Sequence, residues 1–314
     1  MRRRFEIRCT TDGINLGPHG GPGIAIRMAV AYPESETVRQ STPALCVILP
    51  LAGEGERFAK RGYRMPKPLV PVLGRPMILR VIESLDLRSD DHLQIVHHSS
   101  LQEAGISALI TSTFPNLDVV LQNLERRTGG AAETVLYGLN GLSETVLDRP
   151  VLVVDGDGIF DADVVQHFRS RPGNTVFCID DPGDEPIYSY LVPDADGVVR
   201  RIAEKERIST LACIGAYGFE DGRLLRAQVL RTLGSARRLD GEHYLSHVVQ
   251  GLIDDGGKVK AETVREWACL GTPAQLRAWS RRQILLRQLG RLCLPETSSP
   301  SCTLRMIEDI APAW

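Results

Sequence analysis

Between residues 44 and 180, apolar runs of strand length alternate with amphipathic stretches of helical length, and this alternation constrains the fold more than any other feature of the chain. The strand-length runs are Ala44 to Leu51, His92 to His97, Leu117 to Leu121, Val151 to Val154 and Thr175 to Ile179. Near-continuous aliphatic runs of this kind belong to strands buried on both faces. The stretches between them, Pro76 to Leu85, Leu101 to Thr111, Gly130 to Leu139 and Asp161 to Ser170, carry apolar residues three or four apart. That spacing gathers them on one face of a helix. Strand and helix in alternation predict a Rossmann-like, mostly parallel sheet with helices on both faces. After Pro186 the pattern changes to close-spaced strand signals at Ile187 to Val192, Gly197 to Ile202 and Cys213 to Phe219, followed by helical stretches at Arg223 to Leu233 and Tyr244 to Asp254. The expected class is therefore α/β with a smaller, mixed α+β lobe attached. Ligands are expected at the carboxyl ends of the parallel strands.

The ends of the chain lack this order. Residues 1–43 mix Gly, Pro, Ser, Thr and Arg without periodicity and read as a flexible N-terminal extension, with Met1 and Met28 both available as starts. No signal-peptide core follows the basic M-R-R-R start, and no run of roughly 18 apolar residues suggests a membrane span. Residues 281–314 read as a C-terminal helix and tail. The organised part is then a domain over 44–280, in two halves, 44–180 and 181–280. With 37 basic and 39 acidic residues the net charge is −2, so no global basic field exists to hold a nucleic acid or an anionic membrane. An anionic ligand must be met locally. The seven cysteines are odd in number and form no C-x-x-C pair, which fits reduced thiols in a cytoplasmic protein. Cys46, Cys178 and Cys213 lie in apolar runs and are expected in the core.

The first strand runs into A-G-E-G-E-R-F-A-K-R-G-Y-R-M-P-K-P-L. Glycines after a buried strand let the backbone approach a phosphate, and Gly53 and Gly55 suit that role. Arg57 and Lys67, the latter between Pro66 and Pro68, add two cations that can neutralise a polyphosphate. The loop has neither the third glycine of a dinucleotide fingerprint nor the G-K-[ST] ending of a P-loop.

Taken with the P-K-P-L-V-P-V-L-G-R-P-M-I that follows, L-A-G-E-G-E-R-F resembles the signature of the sugar-phosphate nucleotidyltransferases, the family of nucleoside-diphosphate-sugar pyrophosphorylases. The resemblance continues in order through T-G-G-A-A-E-T-V-L, V-D-G-D, Y-S-Y-L-V, A-E-K-E-R-I-S, I-G-A-Y-G-F and L-G-T-P, spanning roughly residues 44 to 280. It implies a Mg²⁺-dependent enzyme that joins a nucleoside triphosphate to a sugar phosphate, or to a related phosphate or phosphonate acceptor, and releases pyrophosphate. Homo-oligomers are compatible with this family. On the same resemblance, Arg57 and Lys67 are the catalytic cations. Leu51, Ala52, Gly53, Gly55, Gln122, Thr128, Gly129 and Gly130 surround the nucleotide. Asp157 holds the metal, with Asp155 available beside it. Ser189, Glu204 and Lys205 meet the acceptor in the smaller lobe. Adjacent strand residues face opposite ways, so either Lys205 turns away from Glu204's ligand or a bulge brings both in.

Two segments depart from the family pattern. W-A-C-L-G-T puts Cys269 where relatives often carry a second acidic metal ligand, and a soft sulfur suits Mg²⁺ poorly. In G-E-H-Y-L-S-H, Glu242 and Tyr244 resemble an acceptor-lobe segment, while His243 and His247 read as surface residues of a helix. His97 and His98 read as a strand end. Two other functions share these motifs: a glycosyltransferase using D-G-D at 155 to 157 as its metal motif, and a sensor that binds a nucleotide sugar without turnover.

Overall fold

Residues in and just before strand β1 (Cys46–Leu51) divide alternately between two cores. Leu45, Val47, Leu49 and Leu51 pack with Met77, Ile78, Val81 and Ile82, while Cys46 and Ile48 pack with Ala132, Val135 and Leu139. Successive strand side chains point to opposite faces, so helices cover this sheet on both sides. Each such aliphatic side chain contributes about 1.5–3 kcal/mol by leaving water. The computed structural model describes residues 42–160 and 163–292. The expected N-terminal extension up to residue 41, residues 161–162 and the tail from residue 293 lie outside the described residues.

From β1 the chain passes through helix α1 (Glu56–Ala59), a 3₁₀ turn (Lys67–Leu69), a small hairpin of β2 (Pro71–Val72) and β3 (Arg75–Pro76), and helix α2 (Met77–Ser84). Strand β4 (His92–His98), helices α3 (Ser99–Glu103) and α4 (Ile106–Thr113), strand β5 (Asp118–Leu124), and helices α5 (Ala131–Asn140) and α6 (Glu144–Leu147) follow. Next come β6 (Val151–Val154), β7 (Gly158–Phe160), α7 (Asp163–Ser170) and β8 (Thr175–Asp180). The later stretch supplies β9 (Ser189–Pro193), β10 (Val199–Glu204), β11 (Leu211–Phe219), α8 (Gly222–Leu233), α9 (Leu245–Asp254), β12 (Lys260–Thr263), β13 (Trp267–Cys269) and α10 (Pro273–Leu292).

The main sheet has nine strands, ordered β10-β9-β11-β6-β1-β4-β5, with β8 and β12 joined through β11. Strands β6, β1, β4 and β5 are mutually parallel, which is the α/β arrangement that the alternation predicts. The departure from parallel order lies in β11. Tyr217 pairs with both Val153 of β6 and Val176 of β8, and Ala212 pairs with both Ile179 of β8 and Tyr190 of β9. One long strand thus has β8 along one edge and β6 then β9 along the other, which carries a single sheet through both the 44–180 and the 181–280 stretches.

The helix expected over Leu101 to Thr111 is two helices, α3 and α4. Gly105 between them adopts a left-handed φ of 79°, which a continuous right-handed helix cannot contain. Cys46, Cys178 and Cys213 are buried in the core as free thiols. His97 and His98 do close β4, and His97 is wholly buried. His243 and His247 are not surface residues: only 3% and 9% of them is exposed. For His247 the expectation failed because α9 packs on β10 and α8, which a helical repeat of histidines does not reveal, and His243 lies before α9 rather than on it. No described helix is long and apolar enough to cross a membrane.

Candidate active site

The carboxyl ends of the adjacent parallel strands β1 and β6 open onto a cleft of about 540 Å³. Beyond β1, Leu51 to Phe58 line it without a break. Gly55 has a left-handed φ of 66° immediately before α1, and a Cβ there would stand 2.9 Å from Cβ of Lys67. The glycine therefore admits Lys67 to the loop. Pro66 and Pro68 flank that lysine at the start of the 3₁₀ turn, fixing its backbone. Arg57, on the first turn of α1, is exposed to the cleft and has no ion-pair partner among the described residues.

Strand β6 delivers two carboxylates. Asp155 donates its N–H to the Gly215 carbonyl at 2.8 Å. Its side chain lies against Gly215, whose φ is 74° and where a Cβ would come within 2.3 Å of Asp155 Oδ2. Burial, then the charge of Asp157, raises the Asp155 carboxyl above its ordinary range. Gly156 packs against the Leu51 side chain, whose Cδ2 would have to move to admit a Cβ, and Asp157 follows it. Asp157, half-buried, accepts a hydrogen bond from Lys67 Nζ. The Asp157 carbonyl accepts from Leu270 N–H at 2.7 Å, and β13 pairs Cys269 with Gly158. Cys269 thereby stands beside Asp157. Burial, then the charge of Asp157, pushes its thiol up to about 12, so the sulfur is neutral at pH 7. Arg57, Lys67, Asp155 and Asp157 all line the one cleft.

The T-G-G turn forms the facing wall. Gly130, with φ 116°, has no room for a side chain, because a Cβ would lie 2.5 Å from the His243 carbonyl oxygen. His243 N–H donates to the Gly129 carbonyl at 2.8 Å, and Ala132 N–H donates to the His243 carbonyl at 3.0 Å. These bonds explain why His243 is buried. Thr128, Gly130, Ala131 and Thr134 line the cleft, together with Glu242 and Tyr244. Gly129 does not line it, and its N–H donates to Glu133 Oε2 at 2.5 Å. Gln122 is also away from the cleft. Its Oε1 accepts from Gln94 at 3.0 Å, beneath Gly141 at the far end of α5.

Ser189, Glu204 and Lys205 stand outside this lining. Glu204 accepts from the hydroxyls of Ser189 and Ser246, the latter at 2.7 Å, and borders a second cavity of about 520 Å³. Lys205 follows β10 with a left-handed φ of 51°, which interrupts the strand's alternation as a bulge would. Its ammonium reaches Tyr244, donating to the hydroxyl at 3.0 Å and sitting 4.8 Å from the ring centroid. Both members of the E-K pair thus turn toward the start of α9, and Lys205 meets the cleft only through Tyr244.

Arg127 is a cleft residue that the motif reading missed. The sequence offers Arg126 and Arg127 side by side and gives no sign of which one faces the ligand. Gly271 was missed because it meets Asp157 from a distant part of the chain, whereas Thr134, also missed, bonds locally to the Thr128 hydroxyl at 2.8 Å and donates to the Gly130 carbonyl at 3.1 Å.

Residues 46–282 match the nucleotidyl transferase family. The bifunctional protein GlmU of Burkholderia lata is 26% identical over 261 residues, covering 79% of this chain and 53% of that protein. The corresponding protein of Burkholderia multivorans is 28% identical over 263 residues, covering 80% and 54%. The chain spans about half the length of these curated relatives. A nucleoside-diphosphate-sugar pyrophosphorylase structure from Vibrio cholerae aligns at a TM-score of 0.65 and 22% identity, over 75% of this chain and 99% of that one. The inositol-1-phosphate CTP transferase of T. maritima aligns at 0.59 and 15%, over 74% and 92%. At those identities the structures share the fold. With the family match running from the first residue of β1 into α10, across every strand of the main sheet, the chain belongs to the nucleotidyl transferase family.

Proposed function

We propose that this chain transfers a nucleotidyl group from a nucleoside triphosphate to the phosphate of a sugar phosphate, or of a related phosphate or phosphonate acceptor. The observation that carries the reading is the convergence of Arg57, Lys67 and Asp157 on one cleft beside the glycine loop. In the reaction an acceptor phosphate oxygen forms a bond to the α-phosphorus. The bond from that phosphorus to the α–β bridging oxygen breaks, and pyrophosphate departs. Such chemistry asks for in-line positioning and charge cancellation rather than a protein nucleophile. Arg57 holds the departing phosphates. Lys67, anchored by Asp157, brings its ammonium to the α-phosphate or the incoming phosphate. Gly130 and the α5 N-terminus at Ala131 face the rest of the nucleotide with backbone N–H groups. Ser189, Glu204 and Lys205 serve the acceptor through the α9 segment.

The donor set suits magnesium. Asp157 and Asp155 are hard oxygen donors at one strand end, whereas the neutral Cys269 thiol competes poorly. Among the described residues no three His, Cys, Asp or Glu side chains form a complete cage. An ion held there by one or two carboxylates would take its remaining ligands from substrate phosphates and water. When bound there, Mg²⁺ would supply charge neutralisation on the triphosphate oxygens. The free thiols at Cys46, Cys178, Cys213 and Cys269 suit a reducing cytoplasm.

The test is a matrix of the four nucleoside triphosphates against sugar 1-phosphates, polyol phosphates and phosphonates, with pyrophosphate as the readout. Release that requires both substrates and divalent metal is expected, and Lys67→Ala should lower kcat/KM by about 10²–10³. Loss of less than about threefold removes Lys67 from the reaction. Nucleoside diphosphate formed from a nucleotide sugar would instead indicate a glycosyltransferase, and tight nucleotide-sugar binding without turnover a sensor.

A further inference from the structure

The E-R-R segment before the T-G-G turn splits its two arginines. Arg126 lies back on α5, donating from Nε to the Tyr137 hydroxyl at 2.9 Å and from Nη2 to Glu133 Oε1 at 2.9 Å. Its guanidinium also sits 5.4 Å from the Tyr137 ring centroid. Glu133 simultaneously accepts from Gly129 N–H. This network fixes the turn and leaves Arg127 to face the cleft. Arg127 Nη1 lies 3.6 Å from Glu54 Oε1 on the glycine loop, with 63% and 47% of the two side chains exposed. Both residues line the same cavity as Arg57 and Lys67.

An exposed pair at that distance binds weakly. A polyphosphate entering between the two loops offers Arg127 several negative oxygens and bidentate geometry, and it repels the carboxylate of Glu54. We propose that Arg127 is a third polyphosphate-binding cation of this cleft. In the empty site it is held by Glu54, and it exchanges that partner for the triphosphate when nucleotide binds, clamping the T-G-G turn over the glycine loop. The inference rests on the triphosphate reading of the cleft and adds to it a residue pair that tunes affinity for the phosphates without reading the base.

Calorimetric titration of the full chain with inorganic triphosphate and with each of the four nucleoside triphosphates, in the presence of magnesium, tests this. Arg127→Ala should weaken inorganic triphosphate and the preferred nucleotide by the same factor, about tenfold, with Arg127→Lys in between. In turnover the loss should fall on the nucleotide KM more than on kcat. Glu54→Gln should tighten both ligands about two- to fivefold, the range an exposed ion pair spans. That gain should vanish in the Arg127→Ala background. Inorganic triphosphate bound by Arg127→Ala within twofold of the unsubstituted protein overturns the proposal, as does a loss confined to nucleotides, which would make Arg127 a base contact. If the unsubstituted protein binds neither ligand, the triphosphate reading itself fails, and the proposal with it. Thermal unfolding of each variant separates these outcomes from misfolding.

Discussion

Gly53 and Gly130 both line the cleft, yet a methyl group would meet very different surroundings at each. At Gly53 a Cβ has nothing within 4 Å, whereas at Gly130 it strikes the backbone of His243 in a residue with φ 116°. Gly130→Ala should therefore destabilise the fold by about 2–4 kcal/mol, combining strain and collision. Gly53→Ala should change stability by less than about 0.5 kcal/mol. Urea unfolding of the two variants checks this, and equal losses would disprove the contrast. The motifs announced both glycines, but the difference between them comes from residue 243, more than a hundred positions away in the chain. The same holds for Gln122, which sits at a motif position but has its Oε1 engaged by Gln94. Spacing identifies which residues reach the end of a strand. It does not say which side chains are already engaged there.

At the scale of elements, Asp91 ties three of them together. Its carboxylate accepts from Leu45 N–H at the entry to β1, from Arg88 N–H before β4, and from both terminal nitrogens of Arg169 on α7, at 2.7 and 2.5 Å. The ion pair is almost fully buried, with 4% of the Arg169 side chain and 0% of the Asp91 side chain exposed. Removing one member leaves the other charged without a partner, so Asp91→Ala should cost about 3–5 kcal/mol. The paired change Asp91→Leu with Arg169→Met should cost less than Asp91→Ala alone. Chemical denaturation decides, and a smaller loss in the single variant contradicts the account. The strands of the parallel region were legible because each carries a short apolar stretch, unbroken in the VLVV of β6 and interrupted by polar residues in the HLQIVHH of β4 and the DVVLQNL of β5. The branching of β11 was not, since its two pairing edges depend on β8 and β9 arriving from different directions.

Across the whole molecule, stability should fall on mild acidification for a reason internal to the fold. Burial, then the charges of His243 and Arg237, lowers His247 to about 4. In the unfolded chain a histidine titrates near 6.5. Between those values the unfolded state binds a proton that the native state refuses, so native stability is lost as pH drops below about 6.5. The loss between pH 7 and pH 5 attributable to this residue is about 1–2 kcal/mol. His247→Gln, whose amide oxygen can still accept from Tyr244 N–H, should flatten that slope in urea midpoints measured at the two pH values. A slope equal to that of the unsubstituted protein would remove His247 as its source. Asp91 acts in a lower window. Burial alone would raise its carboxyl, but Arg169 and the Leu45 and Arg88 N–H groups hold it below the ordinary range. Its contribution is present above about pH 4 and is lost as pH falls further.

The amino-acid sequence by itself determined the α/β class, the strands of the parallel region, the glycine loop with its two cations, and the acidic residues after β6. These are local properties, written in the period of apolar residues and in short runs of special chemistry. Only the tertiary structure decided that Lys67 lies on Asp157, that Arg127 rather than Arg126 faces the cleft, that Glu204 and Lys205 both turn to α9, and that His243 and His247 are buried. Each of these outcomes depends on which distant backbone arrives alongside. Close packing sets such contacts among residues that the chain itself keeps far apart.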